Sequence, residues 1–129
     1  MTISNADHPR DFQSVPLQKP LLKNLQDLGY ERLTEIQAAA LPAIVAGKDV
    51  IGQAKTGSGK TVAFGLGLLH KLKVEQFRVQ SLVLCPTREL ADQVARELRK
   101  LARAIHNIKI LTLCGGVPFG PQIGSLKHG

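Results

Sequence analysis

The sequence predicts an α/β fold in which a parallel sheet carries helices on both faces. Three observations point there. Short apolar runs without polar alternation are separated by helix-period segments, in the order helix, helix, strand, helix, strand, helix, strand. Strands buried on both faces read this way. A glycine-bearing loop, "AKTGSGKT" at 54–61, joins a strand candidate to a helix candidate. The chain has 129 residues and 43% hydrophobic content, which suits one packed core and at most one domain.

Residues 1–18 read as a loose, flexible arm, with Pro9 and Pro16 and no periodicity. From Pro20, "PLLKNLQDLG" puts Leu21, Leu22, Leu25 and Leu28 on one helical face, and Gly29 supplies the stop. "LTEIQAAALPAIVAG" reads as a second helix. Thr34 caps it, Gln37 completes a Thr-x-x-Gln capping box, and Gly47 ends it. Pro42 is expected to kink or split that helix. Residues 49–54 form a first strand candidate. A helix over 60–73 is apolar nearly all round, through Val62, Phe64, Leu66, Leu68, Leu69 and Leu72. "SLVLC" at 81–85 is a second strand candidate. "RELADQVARELRKLARAI" is a helix whose buried stripe is Leu90, Val94, Leu98, Leu101 and Ile105, with Arg88, Arg96, Arg99, Lys100 and Arg103 off it. "IKILTLC" at 108–114 is a third strand candidate. Gly115 and Gly116 follow, then a weak helix over 118–127. No internal repeat or low-complexity tract is present.

The net charge of +7 is unevenly placed. Residues 1–64 hold seven Lys and Arg against six Asp and Glu; residues 65–129 hold ten against four. A basic second half fits a polyanion, and equally a solvated face. Cys85 and Cys114 each end an apolar run and read as buried thiols. Nothing resembles a secretory signal or a close Cys/His cluster, so neither a disulfide nor a metal pair is expected. No apolar run approaches ~20 residues, the length needed to span a membrane. A cytoplasmic location is the default expectation.

The loop carries the chemistry. The phosphate-loop (P-loop) pattern is G-x-x-x-x-G-K-[ST]. Gly59, Lys60 and Thr61 match its end, while Ala54 replaces the first glycine. Gly57 and Gly59 free the backbone to turn N–H groups inward, and the helix that follows adds its N-terminus. Lys60 is placed for β- and γ-phosphates, and Thr61 for Mg²⁺. A flexible Gly-Ser-Gly turn is the plainer alternative. Mg²⁺ at such sites is usually also held through an aspartate ending another strand. None of the ten acids, from Asp7 to Glu97, ends an apolar strand, and no Asp-Glu pair occurs. These residues support nucleotide binding better than hydrolysis.

Four stretches together resemble the DEAD-box ATP-dependent RNA helicases: "GYERLTEIQ" at 29–37, "AKTGSGKT", "PTRELA" at 86–91, and the Gly115–Gly116 doublet. Their order and spacing are similar to the first half of that family's N-terminal RecA-like domain, and the resemblance covers nearly the whole chain. Within the family, the residues look most like a bacterial branch that acts on large-subunit ribosomal RNA. Ala at the first loop position is usual there.

The resemblance implies an ATP site with Mg²⁺. Its residues would be Phe12, Tyr30 and Gln37, the loop residues Ala54, Lys55, Thr56, Gly57, Ser58 and Gly59, and Lys60 and Thr61, with Thr61 also on the metal. Gln37 would read the adenine edge, since a carboxamide matches the donor and acceptor at N6 and N7. On the residues alone, closing the capping box explains Gln37 as well. Phe12, 17 residues before Gly29, stands where the family commonly packs an aromatic against adenine. Leu33 and Glu35 replace frequent prolines. Pro86, Thr87 and Arg88 would touch the RNA backbone, where a helix N-terminus and a guanidinium suit phosphate; an Arg88–Asp92 pair at i+4 is the alternative. Gly115 and Gly116 would admit an RNA strand, or simply end a strand. With one Tyr, four Phe and no Trp, a base-stacking platform is not expected.

The same resemblance implies that residues 19–129 are only the N-terminal portion of the ATP-binding domain. The Asp-Glu-Ala-Asp and Ser-Ala-Thr segments and a second RecA-like domain would lie beyond. The 129 residues alone are then expected to be inactive, to lack a contiguous sheet, and to be at best marginally stable, because in such sheets later strands lie between the first and second strand candidates. Two other readings stay open. One is a different phosphate-loop enzyme, such as a nucleotide kinase or transport ATPase; the other is a non-enzymatic RNA-binding module.

Overall fold

A computed structural model describes residues 10–129. Its regular elements are a 3-10 turn at Phe12–Ser14 and five helices: α1 (Lys19–Asp27), α2 (Glu35–Val45), α3 (Lys60–Lys71), α4 (Arg88–Leu101) and α5 (Phe119–Leu126). The helix ends follow from capping chemistry. Thr34 Oγ1 accepts from Gln37 N at 3.4 Å, while Gln37 Oε1 accepts from Thr34 N at 2.9 Å, so the capping box is complete. At the C-terminus of α1, Gly29 has φ 78°; its N–H donates to Gln26 O and that of Tyr30 to Leu25 O. Gly47, φ 83°, ends α2 with the same two-bond pattern, to Ile44 O and, through Lys48, to Ala43 O. This is the Schellman arrangement, which requires a left-handed residue and favours glycine.

The apolar helix α3 is the centre of the fold. It packs against α2 on one side and α4 on the other, and α1 touches both α3 and α4. Leu21 and Leu25 of α1, Leu41 of α2, Leu66 of α3 and Leu101 of α4 are fully buried. Two glycines allow this closeness. A Cβ on Gly65 would lie 2.7 Å from Leu98 Cδ2, and one on Gly67 would collide with Ile44 Cγ2. Asn24, 4% exposed, joins α1 to α4 by donating to Lys100 O (3.1 Å) and Leu101 O (2.7 Å). Lys100 O also accepts from Arg103 N in the turn after the helix, and the buried amide supplies the donor that Leu101 O lacks from the helix.

Several expectations are corrected. Residues 1–9 of the expected arm lie outside the described residues, but 10–18 are not loose. Phe12, Val15 and Leu17 are buried in the core. Asp11 and Arg32 form an isolated antiparallel bridge, and Gln18 bonds to His70 at the end of α3 through Nδ1 (3.2 Å) and the carbonyl (2.5 Å). A strap of this kind has no helical or strand period, so pattern reading overlooks it. Helix α2 runs through Pro42 unbroken. Helix α3 stops at Lys71, two residues early, and α4 stops at Leu101 rather than near Ile105. In α4 the buried set is Val94, Ala95, Leu98 and Leu101; Leu90 is exposed. Cys85 and Cys114 are free and only half-buried.

The strand candidates at 49–54, 81–85 and 108–114 form no ladder among the described residues. The parallel sheet is therefore not present here, consistent with the expected lack of a contiguous one. A strand is defined by a neighbour ~4.8 Å away that takes its N–H and C=O groups. These segments have none, and apolar side chains of the first two lie open: Ile51 is 101% exposed, Leu82 76% and Leu84 85%, while Ile108 and Ile110 of the third are half-buried against the core.

Candidate nucleotide and nucleic-acid sites

The loop at 54–59 turns on Gly57 (φ 81°) and Gly59 (φ 92°), the latter being the N-cap of α3. Both conformations are left-handed, which explains glycine at both positions. Ser58 N donates to Lys55 O at 3.3 Å, and Ala63 N to Gly59 O at 3.2 Å. The first-turn amides of 60–62 have no acceptor inside a helix. Lys60 Nζ folds back onto the loop, donating to Ala54 O and, at 2.9 Å, to Lys55 O. Ser58 Oγ is buried without a hydrogen-bond partner. An orphaned hydroxyl, the first-turn amides of α3 and an ammonium held on loop carbonyls make a donor-rich loop, a donor set that fits phosphate oxygens. Thr61, at the second helical position, adds a hydroxyl suited to a phosphate-bound Mg²⁺.

Gln37 joins this loop directly. Its Nε2 donates to Gly59 O at 3.1 Å, while its Oε1 serves the capping box. The residue is 3% exposed. One amide thus ties the start of α2 to the start of α3. Sequence reading gave Gln37 a choice between cap and adenine; the bond to Gly59 was not foreseen. Its signal lay in the pairing of a capping-box glutamine with a left-handed glycine 22 residues on.

The other expected nucleotide residues are placed differently. Phe12 is 0% exposed, and its ring meets Tyr30 edge-on with centroids 5.9 Å apart. Lys100 Nζ stands 5.6 Å from the Tyr30 centroid, a cation–π contact. Phe12 therefore presents no open face to an adenine in this arrangement; it anchors the strap. Its burial follows from the apolar cover that α1 and Tyr30 provide.

The predicted RNA residues come together from two segments. Thr87 caps α4, its Oγ1 accepting from Leu90 N at 3.2 Å. Arg88 Nη1 donates to Gly115 O at 3.1 Å, across 27 residues of chain. The alternative pairing of Arg88 with Asp92 is not formed. Gly116 has φ 79°, and a Cβ there would lie 3.0 Å from Arg88 Nη1. Pro86, Thr87, Arg88, Gly115 and Gly116 are all exposed, so they make one accessible patch with a guanidinium at its centre.

The chain is similar in sequence and fold to known proteins. Residues 34–129 match the model of the DEAD/DEAH box helicase family. The chain belongs to that family. It is 69% identical over 107 residues to the ATP-dependent RNA helicase DbpA of Escherichia coli K12, covering 83% of this chain and 23% of that protein. Among solved structures it is similar to a DEAD box protein from Methanococcus jannaschii, with TM-score 0.87, 34% identity, and coverage of 94% of this chain and 33% of the other. It is also similar to the RNA helicase Prp28 from Chaetomium thermophilum bound to ADP, with TM-score 0.82, 35% identity, and coverage of 98% and 31%. The chain thus spans about a quarter of the length of its curated relative and about a third of these solved chains. No helix among the described residues is long and apolar enough to cross a membrane.

Proposed function

We propose that these residues supply the phosphate-binding loop and part of the RNA-binding surface of an ATP-dependent RNA helicase. The single observation that carries this is the loop geometry: two left-handed glycines and Lys60 open α3, with Gln37 bonded to Gly59 O. Main-chain N–H groups of the loop would hold phosphate oxygens, Lys60 would move from the loop carbonyls onto the β- and γ-phosphates, and Thr61 would hold Mg²⁺, which would supply charge neutralisation on the phosphates. Gln37 reads adenine after exchanging one of its present partners. Tyr30 borders that site, and Phe12 supports it from beneath.

Pro86, Thr87, Arg88, Gly115 and Gly116 hold RNA phosphates. Large-subunit ribosomal RNA, ribosome assembly and a cytoplasmic location are the setting proposed here, on the motif resemblance alone. The exposed apolar residues at 51, 82 and 84 support a further reading, in which the three strand candidates enter one parallel RecA-like sheet once partner strands lie beside them.

Titration of ATP–Mg²⁺ into the intact protein tests the site. Amide signals of 54–61 are expected to shift, and Lys60→Ala to abolish the shift. Unmoved signals would remove the assignment. ATP and GTP affinities in wild type and Gln37→Ala separate a helicase from another phosphate-loop enzyme: adenine preference is expected to disappear with Gln37.

A further inference from the structure

Four arginines lie along one side of α4 and beyond its end. At 3.6 residues per turn and 1.5 Å per residue, Arg88, Arg96 and Arg99 fall within an arc of about 80° and span about 16 Å along the axis, and Arg103 follows in the turn after the helix. All four are exposed. Among the described residues the sole ion pair is Lys23–Asp27, so none of the four is neutralised by a carboxylate. One acid, Asp92, shares their arc. Two of the guanidiniums are already positioned by carbonyls of the neighbouring segment. Arg88 donates to Gly115 O at 3.1 Å and Arg99 to Ile110 O at 2.9 Å. The row therefore begins inside the Pro86–Arg88 and Gly115–Gly116 patch and continues away from it.

We infer that this row is a second phosphate track, which carries RNA backbone beyond the patch centred on Arg88. It rests on the reading of that patch as an RNA site. Part of the row has a structural alternative: Arg99 and Arg103 stand near the C-terminus of α4, where cations favour the helix dipole. Arg96 sits mid-helix, where that account gives it nothing to do. A length of about 16 Å within the helix spans several successive phosphates, and each guanidinium is a bidentate phosphate donor. RNA is favoured over an anionic membrane because the row is continuous with the glycine-flanked patch. It also has no apolar residue within its arc to enter a bilayer.

The test measures binding of a six-nucleotide and a twenty-nucleotide single-stranded RNA to the intact protein as salt is varied. Arg96→Gln/Arg103→Gln is expected to weaken the twenty-mer about tenfold near 0.1 M salt and to reduce the log–log salt slope by about 1.4, the share of two phosphate contacts on a single strand. The six-mer is expected to bind unchanged, because it fits on the Arg88 patch. Asp92→Asn is expected to tighten the twenty-mer. A wild-type slope for the double variant would overturn the track, and so would an equal loss for both lengths. Loss of binding to phosphatidylglycerol vesicles with RNA binding intact would also overturn it, in favour of a lipid surface. The underlying RNA patch fails separately: Arg88→Gln would then leave six-mer binding unaltered. Circular dichroism of each variant at wild-type helicity keeps folding out of the comparison.

Discussion

The Gln37 side-chain amide holds two partners, accepting from Thr34 N and donating to Gly59 O, while its backbone N–H donates to Thr34 Oγ1. Removing the side chain leaves the Thr34 N–H without its acceptor and Gly59 O with Ala63 N as its remaining donor. Gln37→Ala is expected to cost about 1 kcal/mol in a denaturant melt, from the lost half of the capping box and the lost bond between α2 and the loop. Gly59 is the opposite case, since its contribution is the absence of a side chain. Its φ of 92° strains any L residue, and a Cβ there would press on Gln37 and lie 3.2 Å from Thr34 Oγ1. Gly59→Ala is expected to weaken ATP binding at least tenfold by calorimetry and to lower stability together with it. Retained affinity would mean that the loop does not need this conformation.

Helix pairs meet where side chains have been trimmed to nothing. Gly67 faces Ile44, with no room for even a methyl group unless the isoleucine tip moves. Gly67→Val is expected to destabilise the fold by about 1–3 kcal/mol through overpacking. Ile44→Ala should recover part of that loss, so a double-mutant cycle should show coupling between the two sites. At this scale the sequence was most readable: Thr34, Gly29 and Gly47 announced their caps, and α3 declared its burial by being apolar all round. Where reading failed, a non-periodic or tertiary cause was responsible. The strap through Phe12, Val15 and Leu17 buries residues without a repeat. A proline at 42 predicts a kink or a split, yet its exposed ring is tolerated inside one continuous helix held by Leu41 and the capping box. Phe12 matched the site's spacing but went into the core.

At the scale of the molecule, the helices and the strand candidates are in different physical states. Helix α3 is enclosed by α1, α2 and α4, whereas 49–54, 81–85 and 108–114 have backbone groups without ladder partners among the described residues. Strand identity was legible in the sequence as apolar runs, but pairing was not, because pairing depends on which segments stand alongside. A strand candidate with Leu82 and Leu84 open to water should exchange its amides quickly and present a sticky edge. For the 129 residues by themselves, hydrogen exchange is expected to be near the unprotected rate at 82–85 and 109–113. The amides around Leu66 and Leu69 should be the slowest in the chain. The same open surface should bind a hydrophobic dye and drive concentration-dependent self-association. Leu82→Lys/Leu84→Glu should suppress both without altering helicity, because neither side chain touches the helical core. Slow exchange at all three segments would instead mean that they pair into a sheet in solution, and the helices would then owe part of their order to it.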